Sequence, residues 1–326
     1  MTTTMNSKHR MGWWRKAKYG MFIHWGLYSI AGGIWQGRRV PRYSEWLMYW
    51  GRIARQEYAK LAKSFNPKKF IPSEWVGLAK KAGMKYIIIT AKHHDGFCVF
   101  YSKLTNFTVT QSTPYKVDII KALASACKKE NMRFGIYYSI LDWDKSTKVS
   151  MLARYENFQE YFSYLKGQIS ELLTNYGDVS ILFFDGDWIP QWTDAMGKEI
   201  ENLCRSLQPN IIINNRVGKR PFWVLPRVPP IFFRSTRLGD YDTPEQMLPR
   251  FTPTRSWEVN MTMNGSFGYK SWDNNWKSVG EIEKYYRKVM ARKGNLLLNV
   301  GPMGSGEIPH QIIDRLLELG QRIKNS

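Results

Sequence analysis

The chain has 326 residues, of which 43% are hydrophobic and 15% aromatic, which excludes a disordered or collagen-like protein. The 48 Lys and Arg residues outnumber the 27 Asp and Glu residues and give a net charge of +21. This charge favours anionic partners, but the basic residues occur in short groups and no nucleic-acid-binding motif is present. We therefore interpret the charge as a solvated basic surface and expect no nucleic-acid partner.

Targeting segments and cysteine spacing indicate where in the cell the protein is expected to reside. No stretch reaches the roughly 20 apolar residues that span a bilayer, and no apolar signal-peptide region follows the basic N-terminal residues. The three cysteines, Cys98, Cys127 and Cys204, lie far apart and show no disulfide or metal-binding spacing. These features predict a cytoplasmic protein with no membrane partner.

Short apolar runs alternate with amphipathic stretches along the whole chain, without a linker. The runs predict strands at 20–24, 86–91, 133–139, 179–185, 210–214, 256–260 and 295–300, with a weaker eighth candidate at 231–234. Helical patterns occupy 73–82, 116–129, 156–174, 196–207, 279–291 and 309–323. Strands that are apolar throughout are typical of a parallel sheet covered by helices.

Seven or eight such units predict an α/β fold, a (β/α)8-like TIM barrel that is irregular and has fewer helices. The competing architecture is a doubly wound sheet. Its first strand is normally followed by a Gly-rich phosphate-binding turn, and this sequence has no such turn.

Polar side chains stand where the predicted strands end. Since the C-terminal ends of barrel strands meet at one rim, residues far apart in sequence should share one pocket, which favours an enzyme. The residues concerned are His24, His93, His94, Tyr137, Tyr138, Asp185 and Arg216.

Three of the five histidines, His24, His93 and His94, belong to this group. A lone histidine is more often structural, but three at one rim favour a function. Metal binding is one reading, yet HExxH and a facial triad are absent, so we expect no metal and favour hydrogen bonds to a polyol. Adjacent strand residues face opposite ways, so His93 and His94 can share a pocket only if the strand breaks there.

Carboxylates are the candidates for bond-breaking chemistry. Asp185 follows four apolar residues and is either a cap or ion-pair partner, or a nucleophile or base aimed into the pocket. Asp187 lies beyond Gly186, where a turn is expected. Glycosyl transfer requires a second carboxyl group. The candidates are Asp240, Asp242, Glu245 and Glu258, and spacing alone does not choose between them.

Aromatic residues adjoin these polar positions. Aromatic rings stack on the C–H faces of sugars, so rings beside His, Asp, Glu and Arg are typical of a sugar pocket. The alternative for each ring is a place in a Trp-rich core. The rings are Trp25, Trp46, Tyr137, Phe183, Trp188 and Trp257.

The motifs at the strand ends strongly resemble the retaining α-L-fucosidases, glycoside hydrolase family 29, over most of the chain and in the same order. They are GMFIHWG from Gly20, SEW from Ser44, KHHDGF from Lys92, GIYYS from Gly135, FDG from Phe184, NNR from Asn214 and the C-terminal GNLLLNVGPMGSGEIP.

The resemblance implies an exo-acting enzyme that needs no cofactor and acts on fucosylated oligosaccharides or glycoconjugates. It places the nucleophile at Asp185 and the acid/base at Glu245, with Glu258 as runner-up. The residues that it implies for contacts to the sugar are His24, Glu45, Trp46, His93, His94, Tyr137 and Arg216.

Three departures from the family pattern stand out. Phe183 occupies a position where Trp is usual, and Asn215 one where Asp is common. We also expect residues 1–326 to form a single catalytic domain without the usual C-terminal β-sandwich, which would favour a homo-oligomer.

Alternative functions are a retaining hydrolase for another sugar, a catalytically silent fucose-binding protein, and a basic nucleic-acid binder.

Overall fold

The computed structural model describes residues 10–220 and 238–325. Its strands are β1 (Tyr19–Ile23), β2 (Ile34–Trp35), β3 (Arg38–Arg39), β4 (Tyr86–Lys92), β5 (Arg133–Ser139), β6 (Ile181–Asp185), β7 (Ile212–Ile213), β8 (Glu258–Met261) and β9 (Asn295–Val300). Strands β2 and β3 form a small antiparallel hairpin. The other seven form one parallel sheet in the order β7-β6-β5-β4-β1-β9-β8.

The segment 241–245 joins the two edges of this sheet. Isolated parallel bridges pair Tyr241 with Asn214 after β7, and pair Glu245 with Asn260 on β8. Backbone hydrogen bonds follow the same path, from Asn215 N to Tyr241 O (2.9 Å) and from Gln246 N to Asn260 O (2.9 Å). An irregular segment thus completes the barrel, and the acid/base candidate Glu245 lies at its end.

Side chains of the strands alternate between the barrel interior and an outer layer under the helices. Phe22, Tyr137, Phe183 and Leu297 belong to the inner cluster. Their strand neighbours, among them Ile23, belong to the larger outer cluster. Both faces of the sheet are therefore buried, which explains the continuous apolar runs.

Helices follow most strands. The longer ones are Pro72–Lys81, Ile119–Lys129, Phe158–Thr174, Asp194–Leu207, Val279–Ala291 and His310–Lys324. Shorter α-helices are Gly12–Ala17, Tyr28–Ala31, Leu47–Trp50, Arg55–Ala59 and Val109–Ser112, and 3-10 helices are Ser44–Trp46, Lys60–Ser64 and Asn215–Val217. Side chains cap several N-termini, and Ser278 with Glu281 forms a reciprocal capping box.

The predicted barrel is confirmed. Strands 133–139 and 295–300 and helix 279–291 have the predicted bounds, and the other predicted elements shift by a few residues. The weak strand candidate at 231–234 lies outside the described residues.

Cys98, Cys127 and Cys204 are buried free thiols. Among the described residues, no helix combines the length and apolarity needed to cross a bilayer.

The turn after β6 depends on a glycine. Gly186 has a φ of 78°, and a Cβ there would lie 2.5 Å from the backbone N of Leu141. Gly177 has a similar φ of 73°, but a Cβ on this residue would meet no atom within 4 Å, so Gly177 isolates the cost of the backbone conformation.

We predict that Gly177→Ala lowers the free energy of unfolding by about 1 kcal/mol, because only the left-handed conformation is penalised. Gly186→Ala should cost several times more and reduce activity, since the collision displaces the end of β6. Denaturant unfolding of both variants measures the difference. Equal losses would show that the close approach to Leu141 is not a constraint.

Candidate active site

A cavity of about 750 Å³ opens at the C-terminal ends of the strands. Its inner wall carries most of the residues predicted at the rim, and a second group of side chains forms its mouth. The inner group includes His24, Glu45, His93, Tyr137, Phe183, Asp185 and Arg216. The mouth includes Arg42, Trp50, Met151, Trp188, Met247, Arg250 and Phe251.

Asp185, the last residue of β6, is the centre of the inner wall. Its Oδ1 accepts a hydrogen bond from Arg216 Nη1 (2.7 Å), and its Oδ2 accepts one from the Tyr137 hydroxyl (3.1 Å). Burial alone would raise the pKa of this carboxyl group. The charges of Arg216 and Arg220 outweigh burial and hold the pKa well below its usual range. Asp185 is therefore ionised and oriented.

Arg216 connects Asp185 with Glu245. Its Nη2 lies 2.7 Å from Glu245 Oε2, while its Nε donates to Thr243 Oγ1 (3.0 Å). The Thr243 hydroxyl donates in turn to Asn215 Oδ1 (2.8 Å). The guanidinium is only 4% exposed, whereas the Glu245 side chain is 40% exposed and faces the cavity. One buried cation thus contacts two carboxyl groups with different access to solvent.

His24 has a defined tautomer. Its Nδ1 lies 2.7 Å from Asn299 Oδ1, and the Asn299 amide nitrogen donates to Phe267 O (2.6 Å), so the amide oxygen faces the imidazole. Burial lowers the pKa of His24 to about 3. The neutral ring must carry its proton on Nδ1, which leaves Nε2 as a hydrogen-bond acceptor.

The tautomer of His94 is defined in the same way, by the hydrogen-bond partner of its Nδ1. Its Nδ1 lies 2.6 Å from Ser139 Oγ, and that hydroxyl donates to Leu141 O, so His94 Nδ1 is the donor. Burial lowers the pKa of His94 to about 4, although the charge of Asp185 acts in the opposite direction. Its Nε2 lies 3.8 Å from Asp185 Oδ2. Two neutral imidazoles therefore place acceptor nitrogens near the carboxylate.

His93 and His94 do lie on the same side, because β4 ends at Lys92 after a shift in register between Thr90 and Lys92. Their ring centroids are 4.2 Å apart. The His93 ring stacks on Tyr137 at 5.4 Å, and burial lowers its pKa well below the usual range.

Glu45 and Trp46 come from the 3-10 helix Ser44–Trp46. The Oε2 of Glu45 accepts hydrogen bonds from Ser266 Oγ (3.0 Å) and Gly268 N (2.8 Å). Burial raises the pKa of Glu45 to about 7, and these hydrogen bonds only partly oppose it. Trp46 packs edge-on against His94 and stacks with Trp188 at 6.2 Å.

The aromatic residues divide into two groups. Trp46, Tyr137, Phe183 and Trp188 line the cavity. Trp25 instead packs among Phe65, Phe70 and Trp75 in the outer core. Trp257 is also buried, and its Nε1 donates to Arg292 O (3.3 Å). For these two rings the core interpretation was right.

The structure places the runner-up carboxylate, Glu258, at the wrong end of the barrel. Glu258 is the first residue of β8 and pairs in register with Asn295, the first residue of β9. Its Oε2 accepts a hydrogen bond from Tyr86 at the start of β4. Asp185 ends its strand, so the barrel separates the two groups. Glu258 has no exposed surface, which excludes it as proton donor to a bound glycoside.

Sequence reasoning missed several residues that line the site or orient its side chains. Arg220 binds Asp187 through two hydrogen bonds of 2.6 Å and approaches Asp185 Oδ1 at 3.5 Å. Thr243 and Asn299 orient Arg216 and His24. Asn299, near the end of β9, was the one with a usable signal, since it is a polar residue in an apolar strand. Across residues 10–220 and 238–325, no group of three or more His, Cys, Asp or Glu is arranged to hold a metal ion.

An ionised aspartate at the rim of a (β/α)8-like barrel, a second carboxyl group on the same arginine, and acceptor nitrogens beside aromatic rings define a pocket of the glycoside hydrolase class. Comparison with known proteins agrees. The sequence model for alpha-L-fucosidase matches residues 1–326. The alpha-L-fucosidase of Dictyostelium discoideum is 26% identical over 344 residues, which cover 97% of this chain and 70% of the relative.

Solved structures give closer matches. Alpha-L-fucosidase AlfC from Lactobacillus casei in complex with alpha-L-fucose product superposes with a TM-score of 0.85 at 32% identity, covering 97% of this chain and 98% of that one. The alpha-L-fucosidase from Vibrio sp. strain EJY3 gives a TM-score of 0.88 at 34% identity, covering 98% and 56%. The chain therefore belongs to the α-L-fucosidase family of glycoside hydrolases.

The position of Glu258 leads to a prediction about stability. Burial raises the pKa of Glu258 to about 7, above the value of about 4.5 expected in the unfolded chain. Stability from this group is therefore fully present below pH 4.5 and is lost as pH rises towards 7, by up to about 3 kcal/mol.

Glu258→Gln should remove this loss, because the amide does not ionise, and should leave activity on an aryl fucoside largely intact. Denaturant unfolding between about pH 4.5 and 8 measures the first effect, and steady-state kinetics the second. A strong loss of activity in a variant that is folded would restore Glu258 as a candidate proton donor.

Proposed function

We propose that this protein is an exo-acting, retaining α-L-fucosidase that works by double displacement. The observation that carries the proposal is the bridge from Asp185 through Arg216 to Glu245, with both contacts at 2.7 Å. It places the two carboxyl groups on one guanidinium, and retaining enzymes use two carboxyl groups about 5–5.5 Å apart.

In the first step, an Asp185 oxygen attacks the anomeric carbon of a terminal α-linked fucose and forms a glycosyl ester. The bond from that carbon to the leaving oxygen breaks, and this oxygen takes the proton of Glu245. In the second step, Glu245 removes a proton from water, the water oxygen attacks the same carbon, and Asp185 leaves as a carboxylate.

Arg216 can serve both steps because the negative charge moves between its two partners. Asp185 carries the charge in the free enzyme and loses it when it becomes an ester. Glu245 gains a charge in the same step by giving up its proton. The guanidinium remains beside whichever carboxylate is charged, so the intermediate keeps its counter-ion.

The sugar contacts follow from the tautomers. Hydroxyl groups of fucose would donate to Nε2 of His24 and His94, and also to the Tyr137 hydroxyl oxygen, whose own proton is donated to Asp185. Arg216 and the partly protonated Glu45 would donate hydrogen bonds to the sugar. His93 and Trp46 complete the proposed wall. Phe183 stands where Trp is usual, and its ring lies under the Arg216 guanidinium at 5.3 Å and stacks on Tyr137.

The substrate class is proposed from the relatives. Structures of the Lactobacillus casei protein include complexes of a mutant form with Fuca(1,6)GlcNAc and with a 4-nitrophenyl fucopyranoside substrate. We propose that this chain likewise accepts terminal α-fucosides on oligosaccharides or glycoconjugates. A cytoplasmic location and assembly into a homo-oligomer stay predictions.

The test compares variants on 4-nitrophenyl α-L-fucoside. Asp185→Gly should lower kcat by roughly 10⁴-fold or more, and azide should restore turnover as a fucosyl azide of inverted configuration. Glu245→Ala should lower kcat by roughly 10²–10⁴-fold, less for good leaving groups, and azide should then give the product of retained configuration.

The matched control is Glu258→Gln, a buried carboxyl group outside the pocket, which should retain activity. Undiminished turnover in Asp185→Gly would disprove the assignment of the nucleophile. Faster hydrolysis of the corresponding α-D-galactoside would favour a different sugar, and binding of fucose without turnover by the unaltered chain would indicate a silent binding protein.

A further inference from the structure

The arginines of the cavity differ in their partners. Arg216 and Arg220, deep in the pocket, are paired with Asp185, Asp187 and Glu245. Arg42 and Arg250, at the mouth, are exposed. Within residues 10–220 and 238–325, neither of the outer guanidinium groups forms an ion pair, and the remaining residues of the chain include no Asp or Glu.

Arg42 is held in place although it is exposed. Its φ of 61° is unfavourable for a residue with a side chain, and its carbonyl accepts a hydrogen bond of 2.6 Å from the buried Lys270 Nζ. Its guanidinium lies 4.3 Å over the ring of Trp50. The cation is therefore positioned on an aromatic face before any ligand arrives.

Arg250 repeats the arrangement at the mouth. Its guanidinium lies 5.4 Å over the ring of Phe251, which is 69% exposed. Met247 beside it is 54% exposed. Apolar faces that remain open to solvent next to unpaired cations are suited to a ring that bears a negative charge.

We propose that the mouth of the pocket is a leaving-group site for an anionic substituent, an oxyanion ester or carboxylate on the ring to which fucose is attached. The proposal rests on the proposed function, which places fucose at Asp185 and so directs the leaving group outwards. Guanidinium groups bind oxyanions through paired N–H donors, and the rings beside them would cover the apolar face of the leaving group.

The test uses two aryl α-L-fucosides whose phenols have matched pKa values, one neutral and one with a sulfonate group. The unaltered protein should show the higher kcat/KM on the sulfonated substrate. Arg42→Gln and Arg250→Gln should each lower that value by roughly five- to tenfold and change the neutral substrate less than about twofold. Added NaCl should reduce the preference, because the charges are exposed.

Arg133→Gln is the matched control. Arg133 is also exposed and lies 5.1 Å over a ring, that of Trp13, but it begins β5 at the opposite end of the barrel. It should change neither substrate. Competitive inhibition by sulfated, phosphorylated and carboxylated sugars, each against its neutral parent, identifies which anion fits best.

The outcomes separate the two proposals. No turnover of the neutral fucoside would disprove the proposed function. Turnover of both fucosides without preference for the anion, or equal losses on both in the arginine variants, would overturn the anionic site alone.

A second, independent observation concerns Asn260 on β8. This residue is 1% exposed and lines the cavity beside its bridge partner Glu245. Among the described residues, neither its amide nitrogen nor its amide oxygen has a hydrogen-bond partner. A buried amide with both groups unpaired is rare in folded proteins, because each unpaired group is costly.

The geometry points to Asn260 as a specificity-determining residue, an inference that also rests on the proposed function. Its amide would bind a hydroxyl group of the sugar, which offers both a donor and an acceptor. Asn260→Leu removes the polar groups at similar volume. It should raise the Tm of the ligand-free protein and weaken fucose binding by roughly tenfold or more, seen as a smaller rise of Tm with fucose.

The control is Asn295→Leu, which removes an equally buried amide that donates to Trp14 O (2.9 Å) at the other end of the barrel. It should lower Tm and leave the rise with fucose unchanged. The smaller Asn260→Ala variant tests whether steric crowding by the leucine side chain, and not loss of the amide, causes the change. If both Asn260 variants lower Tm and keep the full response to fucose, the amide is satisfied inside the folded protein and the assignment is wrong.

Discussion

The buried guanidinium of Arg216 is the contact on which the rest of the site depends. Burying a charge is strongly unfavourable unless partners compensate it, and Arg216 has carboxyl groups on both terminal nitrogens and a hydroxyl on Nε. Each carboxylate belongs to a different wall, Asp185 to β6 and Glu245 to the segment that completes the barrel. The ion pairs that orient the chemistry therefore also fasten the irregular part of the barrel to the regular part.

Burial of the histidines keeps the positive charge of the site on arginine. His24 and His94 lie near the anionic carboxylate of Asp185, which by itself would favour their protonation, and His93 packs beside both rings. Desolvation prevails for all three and lowers their pKa values, so they stay neutral in the physiological range. Second partners such as Asn299 and Ser139 then decide which nitrogen holds the proton. The neutral imidazoles therefore offer hydrogen-bond acceptor nitrogens to a neutral polyol. Protonated imidazoles at the same positions would offer only donors.

The sequence predicted those features that follow directly from the pattern of apolar and polar residues along the chain. Apolar runs ending in polar residues predicted the barrel and brought His24, Tyr137, Asp185 and Arg216 to one rim, as the structure shows. The segment 241–245 escaped prediction as barrel wall because GDYDTPE has no apolar pattern, and its bridges to β7 and β8 are tertiary contacts. The ambiguity between Glu245 and Glu258 had the same origin, since position along a strand decides which end of the barrel a side chain reaches.

The sugar site and the mouth of the pocket are mechanically linked through one pair of loops. Ser44, Glu45 and Arg42 are all held by the segment 266–270, through a backbone contact from Ser44 N to Ser266 Oγ (2.9 Å), the Glu45 contacts and the Arg42 carbonyl. A residue proposed to bind fucose and one proposed to bind the leaving group therefore share a single anchor. Arg216 and Arg220, deep in the pocket, are paired with carboxyl groups, whereas Arg42 and Arg250 at the mouth form no ion pair among the described residues. The segment 266–270 therefore supports two neighbouring regions of the pocket, one suited to a neutral sugar and the other to an anion.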